Sequence, residues 1–154
     1  MTGSDRPRLL LVCLGNICRS PAAEGVLASM AGERLFLDSA GTAGWHAGKP
    51  PHPPMVRAAA RRGYDLSGLR ARQVTASDFA AFDLILAMDR QNLADLEALC
   101  PDGSRARVAL FLEALGEPGG SEVPDPYFTG DYDGALSLIE RGARALLSGL
   151  RPGR

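Results

Sequence analysis

Near the start of the chain, Leu9-Leu10-Leu11-Val12 is an unbroken apolar run. A strand with one wet face alternates apolar and polar residues, so this one must be covered on both faces. Two-sided burial is a property of parallel sheets sandwiched between helices, and the rest of the chain supplies matching parts. Leu35-Phe36-Leu37, ended by Asp38-Ser39-Ala40-Gly41, reads as a second strand. Asp83-Leu84-Ile85-Leu86-Ala87-Met88 and Val108-Ala109-Leu110-Phe111-Leu112 read as a third and a fourth. Helical spacing begins at Pro21, with Ala23, Val26, Leu27 and Met30 on one stripe. A second helix leaves the proline-rich stretch 49–54 and runs from Met55 to Arg62, where Gly63 ends it. A third spans about Arg90 to Leu99, and the last carries Ala135, Ile139, Ala143, Leu146 and Leu150 toward the sheet. The 154 residues contain no repeat, low-complexity tract or linker. They are expected to form one α/β domain over 1–154, with an ordered core at about 8–150. Its architecture is a doubly wound sandwich, a central four-stranded parallel sheet flanked by helices with right-handed crossovers.

In such sheets ligands bind beyond the carboxyl ends of the strands. The segment leaving the first strand is Cys13-Leu14-Gly15-Asn16-Ile17-Cys18-Arg19-Ser20-Pro21. A strand-to-helix loop is a ready anion site, because unpaired amides and the helix dipole point at it. Gly15 and Asn16 best tolerate positive φ and let the backbone curl with its N–H groups inward. Ser20 reads as N-cap and Pro21 as first helical residue. Leu14 to Ser20 are thus expected to cradle an oxyanion. The side chains add chemistry: a cysteine ringed by amides and an arginine favours its thiolate, and Arg19 carries a planar fork that grips two phosphate oxygens. Cys13 below phosphorus and a cradle for three equatorial oxygens make an in-line displacement site. No metal or other cofactor is called for, the positive field coming from the amides and Arg19.

With these residues the sequence resembles the low-molecular-weight protein tyrosine phosphatase family. The resemblance extends through Asp38-Ser39-Ala40-Gly41-Thr42, Ala71-Arg72-Gln73, Met88-Asp89 with Asn92-Leu93, and Asp125-Pro126-Tyr127. It implies hydrolysis of phosphotyrosine in protein substrates through a phosphocysteine on Cys13, with inorganic phosphate as product. Phenolate is a poor leaving group, since tyrosine's pKa is about 10, so a proton donor must meet it. Asp125, between Pro124 and Pro126, is the candidate; alone it would read as a turn residue, but beside a phosphate loop it reads as general acid, then base. Trp45, in the loop Gly44-Trp45-His46-Ala47-Gly48, would by itself read as a half-buried packing residue. The resemblance makes Trp45 and Tyr127 two walls around the substrate ring, and has Asn16 and Ser39 hold the loop by hydrogen bonds. Cys18 is either a small packing side chain or a thiol that captures oxidised Cys13 as a disulfide. Cys100 reads as inert. Two departures stand out: Leu69 where the family often has a histidine, and Phe128 where many relatives have a second tyrosine.

Rival readings are an arsenate reductase of similar fold, a protein arginine phosphatase, and a non-catalytic phosphate-binding module or phosphocarrier. The first relays electrons through further cysteines, and here only Cys100 lies outside the loop. The second resembles this chain but has threonine where Ile17 stands. The third has no use for both Cys13 and Asp125. Composition narrows the partners: 17 basic against 18 acidic residues leave a net charge of −1, so neither nucleic acid nor an anionic membrane is expected. The polar opening MTGSDRPR and the short run behind it suit no signal or spanning helix, which places the chain in the cytoplasm as an expectation. An odd three cysteines argue against a disulfide framework, and His46 and His52 have no zinc-like spacing to them. A monomer or weak homo-oligomer is expected.

Overall fold

A computed structural model describes residues 6–115 and 122–149; the helical position expected at Leu150 lies outside the described residues. The chain runs β1 (Arg8–Cys13), α1 (Arg19–Ala31), β2 (Phe36–Gly41), α2 (Pro53–Arg61), α3 (Asp78–Ala81), β3 (Leu84–Ala87), α4 (Arg90–Leu99), β4 (Arg107–Leu110), α5 (Pro126–Thr129) and α6 (Tyr132–Gly149). All strand pairings are parallel, in the order β2-β1-β3-β4. The four-stranded parallel sheet and its flanking helices are those expected.

The two-residue period of β1 divides the interior. Leu9, Leu11 and Cys13 face a core with Val26 and Leu27 of α1, Met55 of α2 and Ile139 of α6. Leu10 and Val12 face the other, with Phe79 of α3, Ile85 of β3 and Leu96 of α4. Leu9, Leu10 and Leu11 are wholly buried, each contributing about 1.5–3 kcal/mol of transfer free energy. That two-sided burial is why the run carries no polar residue.

Element ends differ from expectation for identifiable reasons. β2 continues through Asp38 to Gly41, because Leu10 to Cys13 of β1 pair with Asp38 to Gly41 in register. The polar residues fit because β2 is an edge strand, and Asp38 and Ser39 find partners in a neighbouring loop and helix. β4 stops at Leu110, and Phe111 and Leu112 turn into a 3₁₀ segment buried beneath α6. Gly142 permits that close packing, since a Cβ there would come within 2.7 Å of both Phe111 and Leu112. The last helix accordingly rests on this turn and on α1 as well as over the sheet.

The topology leaves one opening. From β1 the chain goes outward to β2, then returns across to β3, so the connections at the carboxyl ends of β1 and β3 diverge. That switch point is where open α/β sheets bind ligands. Cys13 ends β1 and Asp89 follows β3 there.

Candidate active site

The loop 14–18 is fixed from outside by its carbonyls. Thr42 N–H donates to Cys13 C=O at 2.9 Å, Ala43 N–H to Leu14 C=O at 2.9 Å and His52 N–H to Ile17 C=O at 2.8 Å. Among the described residues, no backbone or side-chain acceptor takes the amides of residues 14–17. An amide-lined loop of this kind is an anion nest. Asn16 alone takes positive φ, 58°; Gly15 does not, contrary to expectation. Its lack of a side chain serves space instead, since a Cβ would sit 3.0 Å from the His46 ring.

Ser20 is not the N-cap of α1. The helix begins at Arg19, with Cys18 at the cap position and no capping side chain. The hydroxyl goes to the site, where Ser20 Oγ lies 3.1 Å from Cys13 Sγ and 2.8 Å from Asn16 Nδ2, which donates to it. Asn16 is 2% exposed and uses its whole amide: Nδ2 also donates to Ser39 Oγ at 3.0 Å, and Oδ1 accepts from Arg72 N–H at 2.9 Å. Ser39 in turn donates to Glu24 Oε1 at 2.7 Å. The network is therefore complete with Leu69, which packs on the core.

Glu24 is a carboxyl held above its ordinary pKa, first by burial and then by Asp38, against the pull of Ser39 and Arg72. Such a group binds its proton more tightly in the native state than in the unfolded chain. Native stability therefore falls as pH rises from the ordinary glutamate value through the raised one. Glu24→Gln keeps an acceptor for Ser39 and removes the partly buried charge. It should melt above wild type at neutral pH, and the gap should close as pH falls toward about 4.3. Melting temperature against pH checks this; a gap that does not vary with pH would mean that the charge is not the cause.

Arg19 is 2% exposed. Burial acts to lower its pKa, but Cys13, Asp89 and Asp125 outweigh it, and the guanidinium is held above its usual value. Nη1 donates to Asp89 Oδ2 at 2.8 Å and to Val123 C=O at 2.9 Å. Nη2 reaches Asp125 Oδ2 at 3.4 Å. Asp89 also N-caps α4 through Asn92 N–H at 2.8 Å, which fixes its carboxylate. Val123 N–H donates to Met88 C=O at 2.9 Å, laying the segment before Asp125 across the end of β3. Asp125 then caps α5 by accepting from Tyr127 N–H at 3.1 Å.

Arg19 and Asp125 line a cleft of about 250 Å³ with Cys13, Leu14, Gly15, Ile17 and Cys18 of the loop and with Trp45, His46, Tyr127 and Phe128. Trp45 is 71% exposed, so it is a rim residue and not a packing one; Tyr127 is 51% and Phe128 75% exposed. All the expected site residues except Asn16 and Ser20, which brace the loop from behind, thus meet at the cleft. The Cys18 thiol is pushed up to about 12 by burial, then by Cys13 and Asp125, and stays protonated at neutral pH. The sequence alone assigns no role at the site to Asp89, His46 or Phe128. The signal for Asp89 was an acid directly after a buried strand, three residues before the amide it caps. Among the described residues no cluster of histidine, cysteine and carboxylate side chains could hold a metal, and no helix is long and apolar enough to cross a membrane.

An amide-lined loop that starts at a cysteine and lies at the switch point of a parallel sheet defines an α/β protein with its cleft at the carboxyl ends of the strands. The family model for low molecular weight phosphotyrosine protein phosphatase matches residues 8–153. The low molecular weight protein-tyrosine-phosphatase YfkJ of Bacillus subtilis is 36% identical over 93% of this chain and 95% of its own. A low molecular weight phosphotyrosine protein phosphatase of Schizosaccharomyces pombe is 41% identical over 82% of this chain and 84% of its own. The crystal structure of YfkJ superposes with a TM-score of 0.89, covering 95% of each chain. Drosophila arginine phosphatase superposes at 0.87 with 29% identity, covering 95% of this chain and 99% of that one. The chain belongs to the low molecular weight phosphotyrosine protein phosphatase family. It is a phosphatase.

Proposed function

We propose that this enzyme hydrolyses phosphotyrosine in protein substrates by a two-step displacement, releasing inorganic phosphate. One observation carries the reading. Cys13, Arg19 and Asp125, the last more than a hundred residues along the chain from the others, line a single cleft rimmed by Trp45 and Tyr127. The Cys13 thiolate attacks phosphorus in line, while the loop amides and the Arg19 fork hold the equatorial oxygens as their charge grows. Asp125 passes its proton to the departing phenol oxygen. In the second step its carboxylate takes a proton from water, which attacks the phosphocysteine and expels the thiolate. The Ser20 hydroxyl, 3.1 Å from Cys13 Sγ, donates to that thiolate as it leaves. Arg19 needs two free directions for phosphate, and anchoring Nη1 through Asp89 and Val123 sets the plane of the fork before substrate arrives.

The rim supports the aromatic substrate. A phenyl ring between Trp45 and Tyr127 gains about 0.5–1.5 kcal/mol beyond burial, which the short phosphoserine side chain cannot reach. Ile17, apolar and lining the cleft, offers no hydroxyl to a phosphoguanidinium. Assay of the purified enzyme against phosphotyrosine, phosphoserine, phosphoarginine and arsenate tests the reading. Phosphotyrosine should be turned over most efficiently. Preference for phosphoarginine, or arsenate reduction with a thiol donor, would replace it. Capture of oxidised Cys13 by Cys18 belongs to the same proposal, though the protonated state of Cys18 makes that step slow until burial is relieved.

A further inference from the structure

A row of rings beside the cleft gives His52 a task. The imidazole centroid lies 5.2 Å from the Tyr127 ring, inclined at 52°, and 6.1 Å from Tyr132, inclined at 40°. Tyr127 also meets Phe128 edge-on, at 5.4 Å and 79°. His52 precedes α2 at the cap position, yet its side chain makes no capping hydrogen bond; the ring is committed to the tyrosines. Its backbone is fixed by Pro51 and Pro53 on either side and by Met55 and Val56 N–H donating to its carbonyl. Its own N–H donates to Ile17 C=O in the phosphate loop. His52 is therefore joined to the loop through its backbone and to the aromatic wall through its ring.

We infer that His52 is a positioning residue, setting the distance between the Tyr127 wall and the phosphate cradle so that the enzyme selects aryl over alkyl phosphate monoesters. This deepens the phosphotyrosine reading and rests on it. Tyr127 is half exposed, and among the described residues its backbone is tied through the Asp125 cap and the short helix α5. A ring on so short a support has orientations to lose when substrate binds, and a supporting face removes part of that cost beforehand. The reacting groups are untouched, because Cys13, Arg19 and Asp125 do not depend on the imidazole. An aryl ester uses the wall; an alkyl ester or free phosphate does not.

The test is steady-state kinetics on His52→Ala and His52→Phe. The alanine variant should raise KM for phosphotyrosine about two- to tenfold, the worth of one aromatic contact, with kcat within about twofold. Inhibition by inorganic phosphate and turnover of an alkyl phosphate should not change. His52→Phe should restore KM, because a π face and not a proton is what Tyr127 needs. In a Tyr127→Ala background, His52→Ala should add nothing. Should the alanine variant prove unstable, His52→Leu fills the volume without a π face and carries the same expectation. An unchanged KM, a matching loss of phosphate affinity, or failure of phenylalanine to restore KM would each overturn the assignment. Wild type that ignores phosphotyrosine would instead sink the substrate reading itself.

Discussion

Cys13→Ser should lose turnover of p-nitrophenyl phosphate by at least about 10⁴-fold, since covalent catalysis disappears with its nucleophile. A serine hydroxyl is not ionised at neutral pH, and among the described residues its hydrogen-bond neighbour is Ser20 Oγ, 3.1 Å from the present sulfur. The fold should survive. The loop is braced by Asn16 and by outside amides on its own carbonyls, not by the sulfur. Phosphate should still bind, because the amides and Arg19 that hold it remain. Kinetics with a binding isotherm on the same preparation separates these effects. A serine variant within a hundredfold of wild type would mean that attack on phosphorus does not come from Cys13. Arg19→Lys should fail almost as badly, since a point charge cannot grip two oxygens while also holding Asp89 and Val123.

What the sequence disclosed follows from how each part is held together. Leu9 to Val12 announced a central parallel strand because two-sided burial leaves a local mark, and the Cys13–Arg19 loop announced itself because its cysteine, its turn residues and its arginine are adjacent in the chain. The bracing did not announce itself. Arg19 meets Asp89 and Val123, and Asn16 meets Arg72, across separations of 70, 104 and 56 residues. Pairings at that range leave no periodicity to read. Local rules also misfired where the site outbid them. Ser20 has the chemistry of an N-cap, but its hydroxyl is worth more beside Cys13 and Asn16, so the helix starts at Arg19 with no side-chain cap. Asp38 and Ser39 have the composition of a turn, yet an edge strand can carry them because Arg72 and Glu24 take up their polar groups. The task of His52 was hidden for the same reason, its ring partners lying 75 and 80 positions away.

Asp125→Asn should separate leaving-group assistance from every other contribution of this residue. A general acid matters in proportion to the leaving group's need of a proton. Hydrolysis of phosphotyrosine, whose phenol has a pKa of about 10, should fall by about 10²–10⁴-fold. An aryl phosphate with a far more acidic phenol should lose much less. The two substrates share the Cys13 attack and the Arg19 grip, so their ratio isolates the proton. Asparagine retains a side-chain oxygen for Tyr127 N–H, which keeps the start of α5 in place. The substitution also turns the carboxyl 3.4 Å from Arg19 Nη2 into an amide, a change in the resting site that should appear in KM. Equal losses for both leaving groups would place the proton on another residue.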